Sequence, residues 1–462
     1  MKQRGRHRRR RRGQALRATL AGTALALTAA ATLISTSQAT SSGSPGALSR
    51  LSDSSQTARL SLQENLVAPS TLDTLTRRMG GNVGVAAVLD SADHSMRNED
   101  DCAGSERAAL PEEPTATRAY CWDGADAKAR QWLPRSVTTS GDAYEDSTWG
   151  DHRVILAGWT HENQQAADDH RTGGPTRDDG LARVAFIDAT DPHALTYRHA
   201  LLVAPKDGGK NFEAVRSQLG GMVWYQDKLI VTARNGTALL AFDLRRILRT
   251  DVNSAAIGRV SGGYSADGYQ YVLPTIGSYD LTGDTCTAGD DRAAPCFGSL
   301  SLDRTSAPDS LVATEASTPG GSDHARVWRY PYSTAPDRTG LLAAGYQGRV
   351  GASEVYVTKA SGVSGVLSHT PAGTSETDWY VAQAPSGDGR HGTLWRQTDS
   401  GADVATCTAD QSRACWGLRT ASLSYWQETD ELWTLTGTAA ADTASGRVLY
   451  AVPLSAVDSS LE

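Results

Sequence analysis

Gly220-Gly221-Met222-Val223-Trp224-Tyr225, a turn at Gln226-Asp227, Lys228-Leu229-Ile230-Val231-Thr232, a turn at Asn235-Gly236, and Ala238-Leu239-Leu240-Ala241-Phe242-Asp243 read as three antiparallel strands. Apolar, β-branched and aromatic residues dominate each run, and Asn-Gly between two such runs is a hairpin turn. The same rhythm recurs five times after Trp132. The first unit is Ser136 to Thr139, Arg153 to Trp159 and Ala182 to Asp188, with Tyr197 to Val203 as its outer strand. The unit quoted above is the second, with Tyr271 to Ile276 outermost. The third is Ser299 to Leu302, Ser310 to Thr314 and Arg326 to Tyr330. The fourth is Gly365 to Ser368, Trp379 to Ala382 and Thr393 to Arg396. The fifth is Ala421 to Tyr425, Glu431 to Leu435 and Arg447 to Val452. No such meander buries both faces alone, so neighbours must stack, and meanders repeated around a circle make a β-propeller.

The expected fold is therefore all-β, a β-propeller of five blades over residues 101–462. Unit lengths exceed the ~40–50 residues of regular propeller repeats, and the inserts His161 to Gly180, Asp251 to Asp267 and Ser317 to Asp323 account for the excess. The fifth unit ends near the C-terminus without an outer strand. The segment near Trp132-Leu133-Pro134, or upstream of it, is expected to supply that strand and close the ring. Val83 to Leu89 reads as a strand, and six blades follow if it belongs to another sheet. A β-sandwich is the rival, opposed by five matching meanders. Trp224, Trp328, Trp395 and Trp433 are expected to fill wedges between blades.

The N-terminus reads as a targeting segment, residues 1–39. Lys2 to Arg17 is basic, Ala18 to Ile34 is apolar, and Ser37-Gln38-Ala39 is a small-x-small cleavage signature. The apolar run is short for a membrane span, so the expectation is a secreted chain beginning at Thr40 with no stable span after cleavage. The alternative is an N-terminal membrane anchor. Arg11-Arg12-Gly13-Gln14-Ala15 lacks the apolar pair of a twin-arginine signal, which leaves the export route open. Nine of the 45 basic residues lie in this leader, leaving 36 against 52 acidic ones and a net charge of −16. Such a surface repels phosphate backbones, so nucleic acid is not an expected partner.

Six cysteines form three close pairs, Cys102 with Cys121, Cys286 with Cys296 and Cys407 with Cys415. Short loops close readily, and an exported chain uses such pairs as disulfides. Residues 40–100 read as a Ser/Gly-rich linker, to about Glu64, followed by a short N-terminal extension. In the extension, Pro69 to Arg78 has the helical spacing of Leu72, Leu75 and Met79, with Gly80-Gly81 as a stop.

Tyr120-Cys121-Trp122-Asp123, Trp132 to Thr139, Pro192 to Val203, Gly220 to Tyr225 and Ser301 to Leu311 resemble the corresponding stretches of an actinobacterial family of secreted, propeller-like proteins of unassigned activity. The resemblance spans roughly Tyr120 to Leu454. It implies export and a propeller-like fold, and no reaction. The fold is also loosely similar to five-bladed olfactomedin-type domains. This chain has Arg135-Ser136 where the family pattern has Gln-Gly, and Gln218-Leu219 where it has His-Ala. A site shared by the family at these inner strands would be altered here.

No catalytic motif survives inspection. His161-Glu162-Asn163-Gln164-Gln165 has Gln where a zincin needs its second His, and Asp168-Asp169-His170 reads as a solvated loop. Gly362-Val363-Ser364-Gly365 and Gly263-Tyr264-Ser265 lack nucleophile-elbow spacing. Gly208-Gly209-Lys210-Asn211 lacks that of a phosphate loop. The candidate ligand-binding residues are polar groups near the inner strands: Arg135, Asp142, Gln218, Asp303, Arg304, His369 and Glu428. Asp142 and Asp303 are the carboxylates that would meet across the channel mouth and hold Ca²⁺, a hard cation suited to oxygen ligands. The bland reading has Asp142 capping a turn, Asp303 and Arg304 as a surface ion pair, and Glu428 exposed in a hairpin. The expected function is an exported, monomeric binding module. It would take an extracellular ligand or envelope component at its channel face. The alternative is an extracellular hydrolase or lyase using acids and His at that face.

Overall fold

A computed structural model describes residues 43–162, 178–283, 285–290, 293–317, 324–385, 390–436 and 446–461. The leader and Asp168-Asp169-His170 lie outside them.

The fold is mostly β and propeller-like. Sheet I is a meander of Trp132–Thr139, Val154–His161, Ala182–Asp188 and Thr196–Lys206. Sheet II follows with Met222–Tyr225, Lys228–Ala233, Ala238–Asp243 and Tyr271–Leu281. Sheet III runs Phe297–Asp303, Ser310–Glu315, Ala325–Pro331 and Glu354–Thr358. Sheet IV has Val363–His369, Asp378–Gln383, His391–Gln397 and Ala402–Val404. Sheet V has Thr420–Trp426, Glu431–Thr436 and Val448–Pro453, and its fourth strand is Arg118–Cys121 from the N-terminal side. Val448 to Ala451 pairs antiparallel with Cys121 to Arg118, so the outer strand missing from the fifth unit comes from upstream of Trp132. The first strands of the five meanders neighbour one another in the order I, II, III, IV, V and back to I.

Alternation along each strand explains the stacking, because successive side chains point to opposite faces. In sheet II, Met222 and Trp224 join a buried cluster with Val154, Leu156 and Phe186 of sheet I. Val223 and Ile230 join one with Leu300, Leu311 and Trp328 of sheet III. Val312 and Val327 meet Val366, Trp379 and Trp395 between sheets III and IV. Leu367 and Tyr380 meet Leu423 and Leu432 between IV and V. Trp433 and Leu449 meet Val137, Ile155 and Trp159 between V and I. Each large ring takes ~200 Å² out of water, roughly 5 kcal/mol at most. Trp224, Trp328, Trp395 and Trp433 all lie in these inter-sheet clusters.

Glycine permits the closest approach. A Cβ on Gly221 would lie 2.4 Å from the Leu300 nitrogen of the neighbouring sheet, and one on Gly220 would lie 2.9 Å from the Gly298 oxygen. The three disulfides form between the expected neighbours.

Two N-terminal expectations are corrected. Val83 to Leu89 is not a strand; Gly84–Asp90 is a helix with Val85, Val88 and Leu89 buried between sheets I and II. Those three sit at helical spacing, and a short apolar run does not separate the two periods. The six-blade option tied to that strand loses its basis. From Gly43 on, the Ser/Gly-rich run before Glu64 is structured rather than a linker. Ser49–Arg50 extends sheet III against Val357 and Tyr356, and Leu62–Leu66 pairs with Leu281 to Gly277 of sheet II. Buried Leu48, Leu60 and Leu62 anchor it, three apolar residues that the polar composition around them obscures. Pro69–Arg78 is the expected helix. Among the described residues no helix is long and apolar enough to cross a membrane.

Candidate functional site

At the end of the ring where the inner strands begin, a cavity of about 360 Å³ opens. The local cause is a repeated defect. Register shifts fall between Pro134 and Ser136 in sheet I, Phe297 and Leu300 in III, Val363 and Gly365 in IV, and Ala421 and Ser424 in V. A bulge bends its strand and re-aims the extra side chain. The residues inside three of these shifts, Arg135, Ser299 and Ser364, line the cavity.

The lining mixes apolar surface with several polar donors. Arg135, Gln218, Asn235, Ser299, Arg419 and Thr420 contribute to it, and among the described residues no Asp, Glu or His does. Arg135 donates from Nη2 to the Glu162 carboxylate. Ser299 and Thr420 are almost wholly buried, yet among the described residues Ser299 Oγ and Thr420 Oγ1 find no partner, and neither does Arg135 Nε. An enclosed hydroxyl without a partner costs ~1–3 kcal/mol. Backbone strain is concentrated here too. Leu219, Arg419 and Ser422 all have left-handed φ, between 47° and 52°. For side-chain-bearing residues outside Asn, Asp and Gly this costs about 1 kcal/mol or more each.

Of the seven residues singled out from the sequence, Arg135 and Gln218 line this cavity. The other five sit at or just beyond the opposite ends of the inner strands. Asp142, in the short helix Ser140–Ala143, accepts from Ser424 Oγ at 2.6 Å and Thr138 Oγ1 at 2.8 Å. Burial pushes its carboxyl up to about 6, against the pull of those two hydroxyls. Asp303 is fully enclosed. It meets Arg329 Nη2 at 2.7 Å and accepts from Ser368 Oγ at 2.6 Å and Thr305 N at 2.8 Å. The expected Asp303–Arg304 surface pair is thus replaced by Asp303–Arg329, because Asp303 points into the wall between sheets III and IV. Arg304 turns away and donates Nε and Nη2 to the Asp142 carbonyl oxygen at 3.1 and 2.6 Å. His369 lies edge-on to Tyr425 at 5.2 Å, and Glu428 pairs with Arg153 at 2.7 Å. Each of the two carboxylates proposed for Ca²⁺ has its own set of protein donors.

The sequence reading missed Asn235, Ser299, Ser364, Arg419 and Thr420. The available signal was positional: aligning the five units on their first strands puts Arg135, Ser299, Ser364 and Thr420 at the heads of equivalent strands.

No family model and no curated protein matches this chain. Solved structures similar to it include a Thermus thermophilus protein assigned as an oxidoreductase (glucose dehydrogenase), at 12% identity and TM-score 0.28, covering 77% of this chain and 100% of that one. A Bacteroides fragilis protein assigned as a 6-phosphogluconolactonase is similar at 10% identity and TM-score 0.24, covering 72% and 96%. A Trypanosoma rangeli sialidase in complex with sialic acid is similar at 10% identity and TM-score 0.28, covering 79% and 59%. None of the three likenesses bears on this chain's substrate or reaction.

Proposed function

We propose that this chain is an exported, five-bladed β-propeller that binds a small, oxygen-rich anion at the bulged head of its inner strands, without chemistry. The observation that carries the reading is the cavity lined by Arg135, Gln218, Asn235 and Arg419, with no acid or imidazole among its described lining residues. Guanidinium and amide donors recognise carboxylate and sugar oxygens. A reaction needing general acid–base groups would require titratable side chains within hydrogen-bond reach of it. Export agrees with three disulfides closing short loops, and membership of the actinobacterial secreted family with the motifs quoted above. Five blades agree with five meanders and five inter-sheet clusters.

The hydrolytic alternative rests on Asp142, whose carboxyl is pushed up to about 6. Ser424 and Thr138 enclose that carboxyl, and Arg329 and Arg153 hold Asp303 and Glu428. The binding reading is therefore preferred, and Ca²⁺ at Asp142 and Asp303 belongs to the alternative. A panel of acidic monosaccharides and small dicarboxylates, screened by thermal shift on the mature chain, tests the choice. The binding reading expects at least one to raise Tm. Arg135→Ala and Arg419→Ala should each weaken that response roughly tenfold or more. No response from any member, or an undiminished response in both variants, overturns it.

A further inference from the structure

Away from the cavity, His94, Asp126 and His199 bring three side chains together at the seam between sheets V and I. One ligand atom of each lies within 4.8 Å of the others. His199 is on the outermost strand of sheet I, Thr196–Lys206, and is 5% exposed. Its Nε2 has no hydrogen-bond partner among the described residues and lies 3.9 Å from Asp126 Oδ2. His94, on a two-residue strand paired with that same strand, stacks on Tyr197 at 4.8 Å and meets His199 edge-on at 5.7 Å. Asp126 is in the helix Gly124–Lys128, which leads from the ring-closing strand to sheet I.

We infer that His94, Asp126 and His199 form a divalent-metal site for Zn²⁺ at the seam where the N-terminal strand closes the ring. Two imidazoles and one carboxylate suit this ion, and three protein ligands leave a fourth position for water. Tetrahedral bonds of ~2.0–2.1 Å set ligand atoms about 3.3 Å apart, so the cluster must contract by up to about 1.5 Å. His94 can supply that movement, since its side chain is about a quarter exposed and it sits on a short edge strand. The surrounding groups fit a metal's outer partners. His94 Nδ1 bonds the Asp123 carboxylate, which orients the ring and leaves Nε2 for the ion, as outer-shell carboxylates do. Arg183 Nη2 at 2.6 Å and the Tyr197 hydroxyl at 2.7 Å fix the Asp126 carboxylate. The rival acceptor for His94 Nε2 is Asp93 at 3.6 Å, itself paired with Arg198 at 3.3 Å. All six cysteines are in disulfides, so thiolates do not compete for the ion.

The test uses the mature chain stripped with chelator, reloaded with Zn²⁺ and dialysed, with bound metal measured by mass spectrometry. The expected result is about one ion per chain and a Tm that rises on loading. Co²⁺ in place of Zn²⁺ should show the intense visible bands of four-coordination. His94→Ala, at the partly exposed edge, should lose retained metal and the Tm rise, while His193→Ala, an exposed imidazole outside the cluster, keeps both. Retention by His94→Ala equal to that of the parent chain overturns the inference. So does a parent chain that retains no metal, or a Co²⁺ spectrum of weak six-coordinate bands. The Co²⁺ spectrum is read on the unaltered chain, so a poorly folding variant cannot rescue or sink the inference.

Discussion

Val448 stands directly opposite Cys121 in one antiparallel ladder, and Cys121 is disulfide-bonded to Cys102. The last long strand of the chain is therefore held by a strand laid down before the first meander, and that strand is itself stapled.

The staple closes a loop with a sequence separation of 19. A loop of that length is worth about 3 kcal/mol through the entropy of the unfolded chain. Replacing Cys102 and Cys121 together by Ala should lower stability by about that amount in urea denaturation. A loss under ~1 kcal/mol would mean that the ladder alone holds the closing strand.

Asp142 gives the fold a pH signature. Its carboxyl is raised from 3.8 to about 6 by burial, so between those values the folded chain holds a proton that the unfolded chain has lost. Stability should fall as pH rises through this window and level off above it, by up to roughly 3 kcal/mol. Asp142→Asn should remove this slope and be more stable than the parent at pH 8. Parallel stability–pH curves for parent and variant would contradict the assignment.

Glu315 and Arg326 are an enclosed pair, with Arg326 Nε at 2.8 Å and Nη2 at 2.7 Å from the carboxylate. Both are almost wholly buried. Glu315→Ala leaves a charge enclosed without its partner and should cost about 3–5 kcal/mol. The double variant Glu315→Leu with Arg326→Met should cost less than the single one, and a double-mutant cycle measures the difference.

Gly221→Ala tests the inter-sheet approach. The added methyl would meet the Leu300 backbone nitrogen at 2.4 Å, which only movement of an inner strand relieves. A loss of about 1–3 kcal/mol is expected by thermal melting. Gly283→Ala, where a Cβ meets nothing within 4 Å, is the control and should change little.

Much of this architecture was legible because the meanders carry their own punctuation. Asn235-Gly236 marked a hairpin, and Met222 to Tyr225 and Lys228 to Ala233 alternate between two buried faces as the pattern required. Gly84–Asp90 was not legible, since a seven-residue apolar run fits either period. Arg135 and Gln218 were found because they precede inner strands. Ser299 and Ser364 were not, because a bulge is a property of the pairing between two strands, and Ser carries no signal of it. Asp303 was misread as a surface group because its partner Arg329 belongs to a different strand, Ala325–Pro331.

One seam of the ring differs from the rest. Tyr271 to Pro274 of sheet II runs parallel to Ala200 to Val203 of sheet I and is hydrogen-bonded to it. The rims of these two sheets are thus one continuous ribbon. If the circle breathes, the hinge must lie at the other joints, with sheets I and II travelling as a single plate. Backbone amides of Leu201 and Leu202 should then be among the last in the molecule to exchange with deuterium.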